Sequence, residues 1–271
     1  IAFDTPYEEV ASSKITWKNW YAMPVDAADS TSPWMTGRRG ALTATRKILG
    51  ASKYIAHEGC NTGGANAVYW ISITGSRPDG NLIVSNITEG ARRITRSVQA
   101  TVEADLVYPL VRGRDVQRWA VSRDASIIVP QNRSDPRFAI AEDTMQRDYP
   151  KTYAYFKRFQ ETLGQRKSAV IKDLADKQGF YFLYSVKDYT LAKYKVVWRE
   201  QAETLTAAVL HPVEGRPVVP DHKLMLVDTT SREEAHFLCA VLNSTPVRFA
   251  VAAYGVEIQT GVHVLKFIAV P

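Results

Sequence analysis

Hydrophobic positions along the chain recur with two periods, one of about two residues and one of three to four. Short β-branched and aromatic runs favour strands. In the first half these runs are AVYWISI (67–73), NLIVS (81–85), ITRSVQATVE (94–103) and SIIVP (126–130). GSRPDGN (75–81) has the Pro-Asp-Gly chemistry of a tight turn, so the strands on either side are expected to form a hairpin.

NITEGARR (86–93) predicts a second turn region in the first half. The second half shows the same mixture of patterns, with three further strands predicted at YKVVWRE (194–200), LTAAVL (205–210) and KLMLV (223–227). We therefore expect sheet structure in both halves of the chain.

Four segments carry helical signals. Thr36 to Leu49 begins at a candidate N-cap and is followed by Gly50. Residues 148–167 predict an amphipathic helix, because aromatic and leucine residues recur every three or four positions at Tyr149, Tyr153, Phe156, Phe159 and Leu163. This stripe is interpreted as core. Ser231 and Glu234 form a capping box for a helix at 231–244, and 245–254 predicts another.

Strands and helices do not alternate regularly, which argues against a doubly wound parallel sheet. The expected fold class is α+β, with a mixed, largely antiparallel sheet and packed helices. We divide the chain into an irregular lead at 1–35, an arginine-rich β-containing subdomain at 36–147, and a helix with a second mixed part at 148–271.

Composition places the chain among ordinary globular proteins. It has 271 residues, of which 45% are hydrophobic and 23% charged, enough for a substantial core. No apolar run reaches the length of a membrane span, and the first residues do not match a signal peptide. Cys60 and Cys239 form neither a disulfide framework nor a zinc pattern, so we expect a cytoplasmic protein. Without an initiator Met, the chain is expected to be part of a longer polypeptide.

The net charge of +6 favours a polyanionic partner, but only moderately. Arginine usage is more informative. Between Tyr54 and Pro150 every lysine-or-arginine position is arginine: Arg77, Arg92, Arg93, Arg96, Arg112, Arg114, Arg118, Arg123, Arg133, Arg137 and Arg147. The planar guanidinium suits phosphates, the guanine edge and buried carboxylates alike. We expect roughly half of these residues to form internal ion pairs.

The arginines fall into two groups. RGRDVQRW (112–119) contains Asp115 and follows Glu103 and Asp105 closely in sequence. These carboxylates favour a framework held by arginine–carboxylate pairs. By contrast, Arg92, Arg93 and Arg96 lie in or beside a predicted turn with only Glu89 nearby. A basic hairpin tip is the better candidate for contacts along phosphates or in a groove.

Most enzyme signatures are missing from the sequence. It has no G-x-S-x-G, P-loop, H-E-x-x-H or G-x-G-x-x-G motif, and its five histidines are not spaced as metal ligands. Asp79 and Glu89 could begin a nuclease carboxylate cluster, although turn chemistry explains Asp79 without catalysis. No catalytic residue and no bound metal are therefore predicted. Two alternatives stay open: a metal-dependent nuclease or hydrolase with an unusual carboxylate set, and a protein-interaction module.

Several segments, in order, carry a family resemblance: AHEGCNTGGANAVYWI (56–71), EADLVYPLVRGRDVQRW (103–119), YPKTYAYFKRFQETLGQR (149–166), YKVVWRE (194–200) and EEAHFLCAVLNSTPVRF (233–249). Together they resemble the C-terminal target-recognition region of adenine-N6 DNA methyltransferases. These occur in single-chain restriction-modification enzymes and are related to Type I specificity subunits. The resemblance spans about residues 35–271, and its most distinctive parts are L-N-S after a helix and P-L-x-R-G-R-D-x-x-R-W.

In that family a separate N-terminal domain binds S-adenosylmethionine and flips the adenine. Its F-x-G-x-G and N-P-P-Y motifs do not occur here. The resemblance therefore implies that this chain is not itself an enzyme and holds no cofactor. Its expected partners are double-stranded DNA and the N-terminal methyltransferase domain of the same polypeptide, with no membrane. The whole polypeptide would be a methyltransferase, with or without a fused nuclease.

The resemblance also implies which residues meet DNA. RGRDVQRW becomes scaffold, with Arg114 and Asp115 as an internal pair. The expected DNA-binding residues lie in variable loops: Arg77, Arg92, Arg93, Arg96, Asn61, Thr62, Gly63 and Gly64, with Lys193 and Lys195 as further phosphate contacts. The two glycines would allow close backbone approach to DNA, although a tight loop without a ligand explains them equally well.

Overall fold

Helices and strands are interspersed along the chain in a computed structural model, which describes residues 4–12, 18–29, 31–91, 93, 95–166, 169–254 and 260–270. The α-helices in these ranges are α1 (Tyr7–Ser12), α2 (Arg39–Thr45), α3 (Asn66–Tyr69), α4 (Glu142–Asp148), α5 (Pro150–Lys157), α6 (Gln160–Gly164), α7 (Ala169–Gln178), α8 (Asp188–Leu191), α9 (Arg232–Leu242) and α10 (Thr245–Tyr254). None of these described helices is long and apolar enough to span a bilayer.

The strands are short and belong to two main sheets and two small ribbons. They are β1 (Tyr21–Pro24), β2 (Trp34–Gly37), β3 (His57–Glu58), β4 (Trp70–Ser76), β5 (Leu82–Asn86), β6 (Gln99–Val102), β7 (Val107–Val111), β8 (Val116–Gln117), β9 (Ala120–Val121), β10 (Ala125–Ile128), β11 (Tyr194–Arg199), β12 (Ala207–Leu210), β13 (Val219–Pro220) and β14 (Leu224–Thr229). The α+β class expected from the sequence is confirmed.

The larger sheet has the strand order β13-β7-β10-β4-β5-β6. Its neighbours are antiparallel except for β13 and β7, which run parallel. Ile71, Val84, Leu110 and Ile127 point into one core and are fully buried. The predicted hairpin around residues 75–81 is present as β4 and β5.

The smaller sheet has the order β12-β11-β14-β3 and is antiparallel throughout. Alternation along β11 places Val196 and Trp198 in a core with α9 and α10. Val197 lies on the opposite face, in a cluster with Val111 of the larger sheet. Both faces of the smaller sheet are therefore covered.

The aromatic stripe belongs to the core, as the sequence predicts. Phe156, Phe159 and Leu163 are almost fully buried against the larger sheet. The single helix predicted over 148–167 is wrong, however, because α5 ends and α6 begins around Phe159. There Arg158 N and Phe159 N donate to carbonyls three residues back, which tightens and ends the first helix.

The helix predicted from Thr36 also begins later than expected. Thr36 lies in β2, paired with Ala22, and α2 starts at Arg39 with Arg38 as its N-cap residue. Met35 and Gly37 are buried on the inner face of this ribbon, so tertiary packing extends the strand beyond the predicted helix start. Likewise the strand predicted from residue 67 starts at Trp70, after the short α3.

The two main sheets exchange strands across the chain. β3 comes from the first half but pairs with β14, whereas β13 comes from the second half but pairs with β7. The division of the chain at residues 35/36 and 147/148 stays a prediction. The strand exchange shows that neither main sheet is confined to one of the segments.

Candidate nucleic-acid interface

The loop at Gly63 and Gly64 is a tight turn in left-handed backbone conformation. The φ angles are +67° for Gly63 and +81° for Gly64, a region that favours glycine. Asn61 closes the turn, since its Oδ1 accepts a hydrogen bond from Gly63 N at 2.8 Å. The Thr62 hydroxyl bonds to the side chain of Asn66, and Thr62 itself is buried. Thr62 therefore supports the loop from inside instead of meeting a ligand.

Arg166 lies directly beneath this loop and is almost fully buried. A Cβ added to Gly63 would lie 2.9 Å from Arg166 Cδ. The guanidinium donates to three main-chain carbonyls: Leu163 O at 3.0 Å, Phe182 O at 2.6 Å and Phe180 O at 2.7 Å. Sequence reasoning missed Arg166, because nothing in its local pattern distinguishes it from a surface arginine after a helix.

Beside the loop is a groove of about 880 Å³, which we call the Gly63 groove. It is lined by Asn61, Gly63, Gly64, Asn66, Trp70, Gly90, Arg93, Val170, Ile171, Tyr184, Asp221, His222 and Lys223. The groove thus brings together four predicted DNA-contact residues, Asn61, Gly63, Gly64 and Arg93. The groove also contains Asp221, His222 and Lys223, which lie about 130 or more residues later in the sequence. These three were not predicted as DNA contacts.

Two other predicted arginines, Arg77 and Arg96, lie outside the groove. Arg77 is exposed at the β4–β5 turn, where its Nε donates to Thr101 Oγ1 at 3.1 Å. Arg96 is exposed and donates to Arg158 O at 3.0 Å. It lies on a long connection between β5 and β6 instead of a tight hairpin. Arg92 lies outside the described residues.

The two predicted lysines, Lys193 just before β11 and Lys195 within it, have different environments. Lys193 is exposed, with its ammonium 5.4 Å from the centre of the Tyr194 ring. Lys195 is fully buried, and its Nζ donates to Ala192 O. Burial lowers the pKa of Lys195 to about 7, an effect that nearby Asp228 opposes. A phosphate contact by Lys195 does not fit this position, because strand alternation turns the side chain inward.

The RGRDVQRW segment acts as framework, with one correction. Asp115 is held mainly by buried Arg112, with Nε to Oδ2 at 2.9 Å and Nη2 to Oδ1 at 3.1 Å. Arg112 also bonds to Asp124. Arg114 is 60% exposed, and its Nε lies 3.8 Å from Asp115. The internal pair predicted for Arg114 is therefore made chiefly by Arg112, whose side chain points inward at the end of β7.

Several arginines bind main-chain carbonyls instead of carboxylates. Arg93 donates to Thr162 O at 3.4 Å, and Arg118 donates to Asn243 O at 2.7 Å. Among the described residues, Arg93, Arg96 and Arg166 form no ion pair with a carboxylate. A carbonyl satisfies the donor but carries no net charge, so these guanidinium groups keep their full positive charge.

Two acidic groups near the Gly63 groove, Asp221 and Glu58, have raised pKa values. Burial raises the pKa of Asp221 to about 7. Burial, and then the charge of Glu200, raise the pKa of Glu58, which accepts a hydrogen bond from Asn61 at 3.4 Å. Burial lowers the pKa of His222. Lys223 Nζ lies 3.5 Å from Glu200. With Arg93 on its wall and Arg166 beneath its loop, the groove favours an anionic ligand.

No group of three or more histidine, cysteine or acidic side chains that could hold a metal ion occurs in the described ranges.

No family model and no curated protein matches this chain. Solved structures do. The fold is similar to part of the Type IIL restriction-modification enzyme MmeI, whose structure was determined in complex with DNA. The TM-score is 0.50 at 9% sequence identity, and the match covers 80% of this chain. It covers only 24% of MmeI, so this chain corresponds to about a quarter of that protein's length.

Proposed function

We propose that this chain is the DNA sequence-recognition module of an adenine-N6 DNA methyltransferase in a restriction-modification system. The observation that carries the proposal is the Gly63 groove, where Arg93 lies beside a glycine loop. That loop covers buried Arg166, which no described carboxylate pairs with. The resemblance in fold to part of MmeI supports it. The proposed partner is duplex DNA.

In this proposal phosphates contact Arg93, Arg96, Arg77 and Lys193, which sets the register of the duplex. Residues of the Gly63 groove approach the DNA more closely, because two glycines leave its main chain uncovered. The chain itself performs no chemistry. A methyltransferase domain of the same polypeptide binds S-adenosylmethionine and receives the target adenine.

Fluorescence anisotropy with mixed-sequence duplex DNA, titrated across salt, tests the proposal. Phosphate contacts release counterions, so the affinity should fall linearly with salt on logarithmic axes. Arg93→Ala should weaken binding and reduce the magnitude of that slope by about 1.

Arg137→Ala is the matched control, because Arg137 is exposed but already paired with Asp135 at 2.7 Å. It should leave the slope nearly unchanged. Absence of binding even at low salt, or a slope that Arg93→Ala and Arg137→Ala change equally, would contradict the proposal.

A further inference from the structure

We infer that the Gly63 groove holds one nucleotide unit, with its phosphate towards Arg93 and Lys223 and its base towards Trp70 and Tyr184. The argument starts from size. A groove of about 880 Å³ lies within the range of pockets for small molecules, about 300–1,000 Å³, and is far larger than a phosphate requires.

One part of the groove is suited to an anion. Arg93 Nε lies 3.9 Å from the position of a Cβ on Gly64, so the guanidinium adjoins the uncovered main chain of the loop. Lys223 is exposed and supplies a second positive charge, shared with Glu200. Buried Arg166 adds a third charge beneath the loop. Cations beside left-handed glycines form a typical phosphate environment.

Another part is suited to an aromatic ring with polar edges. Trp70, Tyr184 and Ile171 offer flat or apolar surface, and Val170 beside them is 56% exposed. The side-chain amide of Asn61 lies in the same lining. A surface that combines stacking groups with amides recognises nucleobases with little regard to sequence.

Two polar atoms in this lining have no partner. Within the described part of the chain, neither Trp70 Nε1 nor His222 Nδ1 makes a hydrogen bond, although both atoms are buried. Leaving such groups unpaired costs about 1–3 kcal/mol each. Base edges carry the kinds of acceptor and donor that these two atoms lack. Burial also raises the pKa of the neighbouring Asp221 carboxyl, whose Oδ1 accepts a hydrogen bond from Lys223 N at 2.9 Å.

The nucleotide has two sources with the same chemistry, a free mononucleotide or a nucleotide displaced from a DNA duplex. Only the second rests on the proposed function. Trp70→Phe is the informative variant, because it keeps an aromatic ring and removes Nε1. Trp119→Phe is its control, since Trp119 is exposed and does not line the groove.

The first arm measures binding of AMP, GMP, CMP and TMP to the full chain by isothermal titration calorimetry, with inorganic phosphate for comparison. The second compares a fully paired duplex with a duplex that carries one bulged nucleotide, by anisotropy. We expect at least one arm to show a preference of tenfold or more for the nucleotide-bearing ligand. Trp70→Phe should reduce that preference at least fivefold, and Trp119→Phe should leave it unchanged. Arg93→Gln should instead weaken the binding of the nucleotide and of inorganic phosphate alike, because both carry the phosphate that Arg93 contacts.

Mononucleotide binding would assign the free source, and a preference for the bulged duplex alone would assign DNA. Phosphate that binds as tightly as every mononucleotide, with no preference for the bulge, overturns the inference. In that case salt-dependent binding to intact duplex would leave the proposed function standing. Conversely, mononucleotide binding without any duplex binding would support the inference and contradict the proposed function.

Discussion

At the scale of single residues, burial decides what a charged side chain can do. Lys195 is an ordinary lysine by its sequence context, yet it lies in the interior with its Nζ bonded to a main-chain carbonyl. Arg166 is likewise buried and bonded to carbonyls. Both residues place a basic group inside the fold, where water screens charge poorly.

Lys195→Met should stabilise the protein at neutral pH. The pKa is about 7 in the folded chain and near 10.5 when unfolded, so between these values the unfolded chain binds more protons. Wild-type stability therefore rises with pH through this window by up to about 1.4 kcal/mol per pH unit from this residue. The advantage of the variant should grow as pH falls from about 10.5 to 7 and then stay constant. Urea unfolding across this range measures it, and an advantage independent of pH would refute the assignment.

Gly63→Ala should destabilise the fold for two reasons. Its φ of +67° is unfavourable for alanine, and the new Cβ would lie 2.9 Å from Arg166 Cδ. We expect a loss of about 1–3 kcal/mol in the free energy of unfolding. Gly80→Ala separates the causes, because Gly80 has a φ of +80° but nothing within 4 Å of an added Cβ. Equal losses in the two variants would show that Arg166 does not press against the loop.

At the scale of elements, helix ends follow the sequence closely where the cap is local. Ser231 Oγ accepts a hydrogen bond from Glu234 N at 3.0 Å and begins α9 as predicted. The reciprocal bond differs from a standard capping box, since the Glu234 carboxylate accepts from Thr230 N at 3.0 Å. It also accepts from the Tyr54 hydroxyl at 3.1 Å, which ties α9 to the segment before β3.

Ser231→Ala should lower the free energy of unfolding by about 1 kcal/mol, because one main-chain donor of α9 loses its partner. Ser231→Gly should lose only a few tenths of a kcal/mol, since glycine is tolerated at this position. Chemical denaturation of the two variants compares them directly. Equal losses would mean that the side-chain bond contributes little.

At the scale of the whole molecule, the exchanged strands join the two sheets. β13 pairs with β7, and the cluster around Val111 and Val197 lies between the sheets. We therefore expect unfolding in a single cooperative transition, with tryptophan fluorescence and far-ultraviolet circular dichroism giving the same midpoint. Two separate transitions would instead support the division of the chain at residues 147 and 148.

The sequence by itself determined the local features. The strands around 81–85, 126–130, 194–200 and 205–210, the cap of α9 and the core role of the stripe at Phe156 and Phe159 all follow from residue type and periodicity. These features depend on residues that are close together in the sequence, so the sequence alone is enough to predict them. The predicted ends of helices and strands were less accurate, as Thr36 and the helix break at Phe159 show, because packing decides where an element ends.

Only the tertiary structure decided which distant residues meet. It placed Arg93 beside Gly64, brought His222 and Lys223 to the same groove, and put Arg166 beneath the loop. It also buried the side chain of Lys195 and paired Asp115 with Arg112 instead of Arg114. Such contacts join residues far apart in sequence or select between neighbours by strand orientation. Local pattern carries no information about them, because they arise when the whole core packs.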